Sequence, residues 1–157
     1  MRFSVQIILT RQQQLTELEH ALRIQAPQGG RKAVAVIAGY NHQVELLRRQ
    51  LTVHDPERWR CLDIEVNTVD AFQGSERDIV FYSIVCSNVQ REIGFLRDFR
   101  RLNVALSRAR ELLFIVGDHA MVVQADTKGY ANPFPEIITY ILAHPQECLL
   151  WSPVDDL

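Results

Sequence analysis

The stretch that most constrains the fold runs from Asn67 to Asp118 and contains two apolar segments joined through an arginine-rich segment. The first apolar segment, Ile79–Val85, reads IVFYSIV, and the second, Leu112–Val116, reads LLFIV. Continuous apolar runs of this length are typical of buried strands, and two strands connected through a helix are parallel. Polar residues collect at the ends of these elements, which is where an α/β sheet binds its ligands. The stretch therefore predicts parallel strands with a site at their ends.

The rest of the chain repeats this alternation of strand and helix. Ala33–Ala38 is an apolar run that predicts another buried strand, and Leu62–Val66 predicts a shorter one. Gln12–Gln25 has apolar positions at helical spacing, and we expect Glu17 and Glu19 of this helix to face solvent. Strands that alternate with helices, without a hairpin signal, predict a three-layer α/β fold with a mostly parallel sheet.

A second helix is predicted between these two strands. Asn41 is placed to cap it, and it should run to about Leu51 with Val44, Leu46 and Leu47 facing inward. The remaining predicted elements are a strand within residues 1–10, loops at residues 86–96 and 128–130, and a helix over residues 136–143.

The composition is that of a soluble globular domain without an overall basic charge. The 157 residues are 47% apolar and 23% charged, the formal net charge is −2, and we expect one domain over residues 1–157. A nucleic-acid site would have to be a local patch, and five arginines do cluster, at positions 97, 100, 101, 108 and 110. The cysteines and histidines show no metal-ligand spacing, so no metal site is expected. The absence of a membrane span or cleavable signal favours the cytoplasm.

The arginine-rich segment, residues 100–110, reads RRLNVALSRAR and is predicted to be an amphipathic helix. The apolar stripe on its helical wheel consists of Leu102, Ala105, Leu106 and Ala109. Arg101 and Arg108 lie at the edge of this stripe, where each can present a guanidinium that binds phosphate oxygens in bidentate fashion. A solvated helix with surface arginines fits the same periodicity, so the pattern alone leaves both interpretations open.

The turn before the first apolar segment carries polar side chains that suit phosphate and sugar. They are Thr68, Asp70, Gln73, Ser75 and Glu76. Hydroxyl and amide groups suit backbone phosphates, a carboxylate suits a ribose hydroxyl, and Gly74 permits a tight or left-handed turn. Ordinary turn chemistry explains the same residues equally well.

Strings in this stretch resemble helicase motifs. VDAFQGSERD, within residues 67–78, resembles motif V of superfamily 1 helicases, and RRLNVALSRAR, residues 100–110, resembles their motif VI. VAVIAGYNHQ, within residues 33–43, is more distantly similar to motif IV: Tyr40 and Gln43 match, while Gly39 replaces a usual proline. The nearest branch contains the nonsense-mediated-decay helicase. The resemblance implies a RecA-like P-loop-NTPase fold and the second, C-terminal motor domain of such an enzyme, within a longer helicase.

The resemblance also implies roles for individual residues. Arg108 matches the arginine finger, and Arg101 matches a motif VI arginine that serves cleft electrostatics. The implied nucleotide contacts are Glu76, at the ATP ribose, with Gly74 and Gln73. The implied nucleic-acid contacts are Thr68, Asp70 and Ser75.

The sequence lacks a phosphate-binding loop of its own. The GxxxxGK[ST] pattern needs a lysine after a glycine-rich loop, and neither Lys32 nor Lys128 follows one; no Walker B acid pair is present either. The resemblance therefore implies that ATP with Mg²⁺ is shared with a P-loop motor domain, N-terminal in the same polypeptide. The chain alone should not hydrolyse ATP, and single-stranded DNA or RNA is the implied partner. The alternatives are a non-catalytic RecA-like module that binds nucleic acid or a partner, and a flavodoxin-like small-ligand binder.

Overall fold

The computed structural model describes residues 2–6, 11–25, 29–84, 99–125, 129 and 131–151. The strands are β1 (Arg2–Gln6), β2 (Lys32–Ala38), β3 (Leu62–Thr68), β4 (Arg77–Ser83), β5 (Ala109–Val116) and β6 (Cys148–Trp151). The helices are α1 (Arg11–Gln25), α2 (Asn41–Leu51), α3 (Phe99–Leu106), α4 (His119–Val123) and α5 (Phe134–Ala143), with a 3-10 helix at Val69–Phe72. The predicted loop at residues 86–96 lies outside the described residues, and only Gly129 of the loop at 128–130 is described.

The six strands form one sheet in the order β3-β2-β4-β5-β1-β6, and each neighbouring pair is parallel. β4 and β5 are adjacent and α3 connects them, so the predicted crossover is confirmed. The strand predicted within residues 1–10 is confirmed as β1. The chain passes from β2 to β3 on one side and from β4 to β5 on the other. The order in which strands are added to the sheet therefore reverses between the neighbours β2 and β4, while all strands stay parallel.

Helices cover both faces of the sheet, which confirms the three-layer α/β fold. On one face, α1 and α2 pack against Val34, Val36 and Ala38 of β2. On the other face, the 3-10 helix, α3, α4 and α5 pack in a core that includes Ala35 and Ile37. Because successive side chains of β2 enter opposite cores, the strand reads as a continuous apolar run.

The prediction that Glu19 faces solvent is wrong. Its side chain lies on the inner face of α1, one turn after the buried Leu15, and the residue is only 3% exposed. The carboxylate accepts hydrogen bonds from the backbone N–H groups of Arg60 and Cys61, at 2.8 and 2.9 Å. It therefore connects α1 to the segment that leads into β3.

Two details of α2 also differ from expectation. The helix begins at Asn41 itself, and Tyr40 is the residue before it, without a side-chain capping bond. Asn41 is thus inside the first turn and is not the cap. Val44 and Leu47 are buried as predicted, but Leu46 is 42% exposed, because it lies about 200° around the helix from Val44.

The helix predicted over residues 100–110 ends earlier, at Leu106. Ser107 and Arg108 form the turn, and Ala109 already belongs to β5. The sheet determines this boundary, because the Arg77 N–H donates to the Arg108 carbonyl at 2.9 Å and Ala109 pairs with Arg77. The placement of Arg108 and Ala109 on the helix is therefore wrong. Two short elements, α4 and β6, were not predicted.

Candidate functional site

The connection from β3 to β4 crosses the full height of the sheet. Both strands are parallel to β2, so β3 ends at Thr68 on the carboxyl edge and β4 begins at Arg77 on the amino edge. Residues 69–76 span the distance between the two edges. Thr68 and Glu76 therefore lie at opposite edges of the sheet. The sequence predicts that the polar residues lie at the carboxyl ends of the strands, where α/β sheets usually bind ligands. This prediction is wrong for Glu76, which lies at the amino edge.

The middle of this crossover is anchored in the core. Val69 and Phe72 of the 3-10 helix are buried in the same cluster as residues of α3. Gly74 follows with φ of 80°, a left-handed conformation that glycine adopts without strain. The Ser75 hydroxyl donates to the Phe72 carbonyl at 3.1 Å, and Gln73 is exposed. The glycine turn predicted here is thus present, with Ser75 bonded to its own turn.

The upper part of the crossover contacts the start of α3. The Arg101 guanidinium lies 3.3 Å from the Asp70 carboxylate, and both side chains are partly exposed. Thr68 is half-buried, and its N–H donates to the Asn67 side chain at 3.0 Å. The structure therefore brings Arg101 and Asp70 together, two residues for which separate roles are predicted.

Arg108 lies in the turn after α3, close to the amino edge. Its Nε donates to the Val104 carbonyl at 3.1 Å, and one terminal nitrogen donates to the Ser107 hydroxyl at 2.8 Å. A cation at the last carbonyls of a helix interacts favourably with the helix dipole. Arg108 has no carboxylate partner among the residues that the structure describes. Its guanidinium is held by two uncharged acceptors, the Val104 carbonyl and the Ser107 hydroxyl.

Glu76 lies beside Arg110 on the same edge. The Arg110 Nε is 3.2 Å from a Glu76 carboxylate oxygen, and a terminal nitrogen is 3.6 Å from Asp78. The hydrogen bond from the Arg77 N–H to the Arg108 carbonyl joins the two chain segments. The amino edge thus places the predicted ribose contact and the predicted arginine finger on directly paired segments.

Lys32 and Glu111 extend this charged edge. The Lys32 ammonium is 2.6 Å from the Glu111 carboxylate. The hydrogen bond to Glu111 raises the pKa of Lys32; partial burial lowers it, but the negative charges of Glu111 and Asp78 raise it further, and the net pKa lies above the usual lysine value. Lys32 therefore stays charged and belongs to the structural ion pairs of the edge. It does not follow a glycine-rich phosphate loop.

The residues matching the weaker motif lie at the carboxyl edge. Tyr40 is exposed after β2, while Gln43 is buried in the first turn of α2. The Gln43 amide donates to the Ser83 hydroxyl at 2.7 Å, and its carbonyl oxygen has no partner among the described residues. Gln43 thus links α2 to the end of β4, a structural role that explains its burial.

Sequence reasoning missed three members of the amino edge: Asp78, Arg110 and Glu111. Their pairing depends on the register of β4 and β5, for which the sequence carries no signal. Within the described ranges, no group of three or more histidine, cysteine, aspartate or glutamate residues could hold a metal ion. The search of the same residues for a helix long and apolar enough to cross a membrane found none.

Comparisons with known proteins agree with this architecture. A family model described as "AAA domain" matches residues 4–120. Helicase sen1 of Schizosaccharomyces pombe is 49% identical over 96 residues, which cover 61% of this chain and 6% of that protein. DNA polymerase alpha-associated DNA helicase A of Saccharomyces cerevisiae is 38% identical over 110 residues, 70% of this chain and 16% of that protein.

A third relative comes from an archaeon. An uncharacterized ATP-dependent helicase of Methanocaldococcus jannaschii is 43% identical over 89 residues, 57% of this chain and 12% of that protein. The matched part of the chain thus spans 6% to 16% of the length of these relatives. The parallel three-layer sheet, the two motif segments and the family match lead to one conclusion: the chain belongs to the AAA domain family and is a RecA-like helicase domain of superfamily 1.

Proposed function

We propose that the chain is the second motor domain of an ATP-dependent helicase or translocase, to which it supplies the arginine finger. The observation that carries this proposal is the state of Arg108. Its guanidinium lies in the turn after α3, held by two uncharged acceptors and without a carboxylate partner among the described residues. An arginine in this state can give its full charge and its planar set of N–H donors to a phosphate.

Phosphoryl transfer needs such a group. Negative charge spreads over the oxygens of the transferred γ-phosphate in the transition state, and an arginine supplied from another element stabilises it. In this proposal, Arg108 approaches the γ-phosphate when the two motor domains close. Arg101 lies earlier in the chain, near the start of α3, and is paired with Asp70, so it would contribute to the potential of the cleft and to the link with the crossover.

Glu76 would contact the ribose of the same nucleotide. Its carboxylate can accept a hydrogen bond from a ribose hydroxyl, and it lies on the edge where Arg108 is found. Gln73 and Gly74 lie between Glu76 and Thr68 in the crossover. They would couple the nucleotide site to the nucleic-acid site through the turn itself.

Thr68 would contact a phosphate of a single strand of DNA or RNA at the carboxyl edge, with Asp70 close by in the chain. Ser75 would be a further contact along the crossover, toward Glu76 and the amino edge. A hydroxyl suits a backbone phosphate and reads no sequence. The Asp70 carboxylate would repel a phosphate, so its contribution would come through the paired Arg101. With a net charge of −2, the domain can attract nucleic acid only locally. One relative is named a DNA helicase, and another is named a helicase without a stated substrate. These names support a nucleic-acid partner in general.

The second wall of the ATP site would come from a P-loop motor domain in the same polypeptide. Neither a P-loop nor a Walker B pair is present in the sequence, so the ligands of Mg²⁺ would belong to that other domain. The present chain alone is therefore expected to be inactive. The name of the archaeal relative supports ATP as the nucleotide. We place the enzyme in the cytoplasm.

The test is ATP hydrolysis by the full-length polypeptide, with and without single-stranded nucleic acid, in wild-type and Arg108→Ala forms. We expect the substitution to lower kcat by on the order of 10³-fold or more, with ATP binding retained. The matched control is Arg49→Ala, which removes an exposed arginine at the end of α2 and should leave kcat unchanged.

Two results would contradict the proposal. If Arg108→Ala hydrolyses ATP at the wild-type rate, Arg108 is not the finger. If the intact wild-type protein shows no turnover with any single strand, the motor assignment fails, and a non-catalytic binding module becomes the better description of the domain.

A further inference from the structure

The pairing of β4 with β5 shifts register near the amino edge. The paired residues on either side of the shift are Arg77 with Ala109 and Ile79 with Leu112. One residue of β4, Asp78, therefore faces two residues of β5, Arg110 and Glu111. Bulges of this kind are rare between parallel strands, re-aim side chains and recur next to active sites. The shift thus changes which way the side chains at the start of β5 point.

Both residues of β5 at the shift, Arg110 and Glu111, form ion pairs on the same edge. Arg110 and Glu111 are consecutive exposed residues, which a regular strand with one buried face would not give. Glu111 pairs with Lys32 at 2.6 Å. Arg110 reaches both Glu76 at 3.2 Å and Asp78 at 3.6 Å.

One end of the Arg110 contact is fixed to the sheet. The second oxygen of Asp78 accepts the Ala33 N–H at 2.9 Å, and the Asp78 side chain is only 20% exposed. Asp78 is therefore attached to the backbone of β2. The other end, Glu76, is 57% exposed and precedes β4. The contacts form a chain from the β2 backbone through Asp78 and Arg110 to an accessible carboxylate.

We propose that Arg110 is a positioning residue that holds the Glu76 carboxylate ready for the ribose hydroxyl of the nucleotide. This inference rests on the proposed function, because it takes Glu76 as the ribose contact. A free glutamate side chain loses rotamer entropy when it is fixed by a ligand, whereas one already held by an ion pair loses less. The register shift at the start of β5 positions Arg110 for this ion pair with Glu76.

The alternative is that the pair only stabilises the fold. Exposed ion pairs contribute little to stability, and both partners here are more than half exposed. Asp78, the less exposed partner, keeps its hydrogen bond from the Ala33 N–H when Arg110 is removed. Removal of Arg110 should therefore change unfolding little and act mainly on ligand recognition. Recognition of one hydroxyl is a property that a general loss of stability would not change selectively.

The experiment measures kcat and KM of the full-length polypeptide with ATP and with its 2′-deoxy and 3′-deoxy analogues. The variants are Glu76→Gln, Arg110→Met, Arg110→Lys and a double variant that combines the Glu76→Gln and Arg110→Met substitutions. The matched control is Glu111→Gln, which removes the neighbouring ion pair from the same register shift without touching Glu76. Thermal unfolding of each variant verifies that the fold is intact.

We expect Arg110→Met to raise KM for ATP with little change in kcat. The preference for the ribose hydroxyl, which is the ratio of kcat/KM for ATP to kcat/KM for the deoxy analogue, should fall about tenfold in Arg110→Met and in Glu76→Gln alike. Arg110→Lys should restore part of it, the double variant should add nothing further, and Glu111→Gln should keep the full preference. If Glu76→Gln loses the preference and Arg110→Met keeps it, the inference is overturned while the proposed function stands. If Glu76→Gln keeps the preference, the ribose role of Glu76 fails, and the inference fails with it.

Discussion

Replacement of Glu19 by alanine should destabilise the domain far more than an ordinary substitution on a helix. The Glu19 carboxylate is buried and accepts hydrogen bonds from three groups: the Arg23 side chain at 2.7 Å, the Arg60 N–H at 2.8 Å and the Cys61 N–H at 2.9 Å. Alanine leaves the two backbone donors without an acceptor. A buried donor left unsatisfied costs about 1–3 kcal/mol, which gives about 2–6 kcal/mol for two. Both contacts here are part-buried, so water can reach the freed N–H groups and the expected loss lies in the lower half of that range, about 2–4 kcal/mol.

The effect of pH provides a second, independent test of the same site. Burial raises the pKa of Glu19, but the Cys61 N–H, the Arg23 side chain and the Arg60 N–H together outweigh burial, and the net pKa lies below the usual glutamate value. The folded state therefore binds the proton less readily than the unfolded state. The stabilisation is fully present above the unfolded pKa and is lost as pH falls through the folded pKa.

The assay is urea unfolding of the purified chain at neutral pH and at a series of acidic values. Glu19→Gln keeps the shape of the side chain and removes its charge, so its deficit relative to wild type should shrink as the wild-type carboxylate becomes protonated. The control Glu17→Gln changes an exposed carboxylate on the same helix and should alter the unfolding free energy by no more than about 0.5 kcal/mol. The reasoning is refuted if Glu19→Ala unfolds within about 0.5 kcal/mol of wild type, or if the Glu19→Gln deficit is the same at every pH.

Two glycines give a matched pair of predictions, because alanine meets different obstacles at each. At Gly74 an added Cβ has open space but the left-handed φ of 80° remains, so Gly74→Ala should cost about 1 kcal/mol. At Gly117 the added Cβ would lie 2.7 Å from the Cβ of Ile84, and Gly117→Ala should cost about 1–3 kcal/mol because the core must shift. Unfolding free energies measure both, and a larger cost for Gly74→Ala than for Gly117→Ala would contradict this assignment of causes.

The sheet could be predicted from the sequence because buried parallel strands leave a strong signal. β2 and β4 are covered on both faces, so they read as uninterrupted apolar runs. Periodicity predicts α1, α2 and α3, but it puts Glu19 and Leu46 on the wrong faces of their helices and extends α3 too far. The boundary of α3 depends on the hydrogen bond between Arg77 and Arg108, two residues that are far apart in sequence. No local pattern contains that information.

Glu19 illustrates a different limit. A glutamate among apolar positions of a helix is expected to face water, since a buried carboxylate is unfavourable without partners. Its partners here are backbone N–H groups 41 and 42 residues further along the chain. Any residue can supply a backbone N–H, so the identities of Arg60 and Cys61 gave no indication of the contact. Burial of Glu19 is therefore a property of the tertiary structure alone.

The two motif segments show what a sequence match can identify and what it cannot. The match selects residues along the chain, whereas the structure determines which of them meet. Arg101 pairs with Asp70 and Arg110 pairs with Glu76, across separations of 31 and 34 residues. Both ends of the crossover are thus contacted by arginines of the second segment, Arg101 on α3 and Arg110 at the start of β5. The arginines at positions 101 and 110 therefore join the two segments by ion pairs that neither segment reveals by itself.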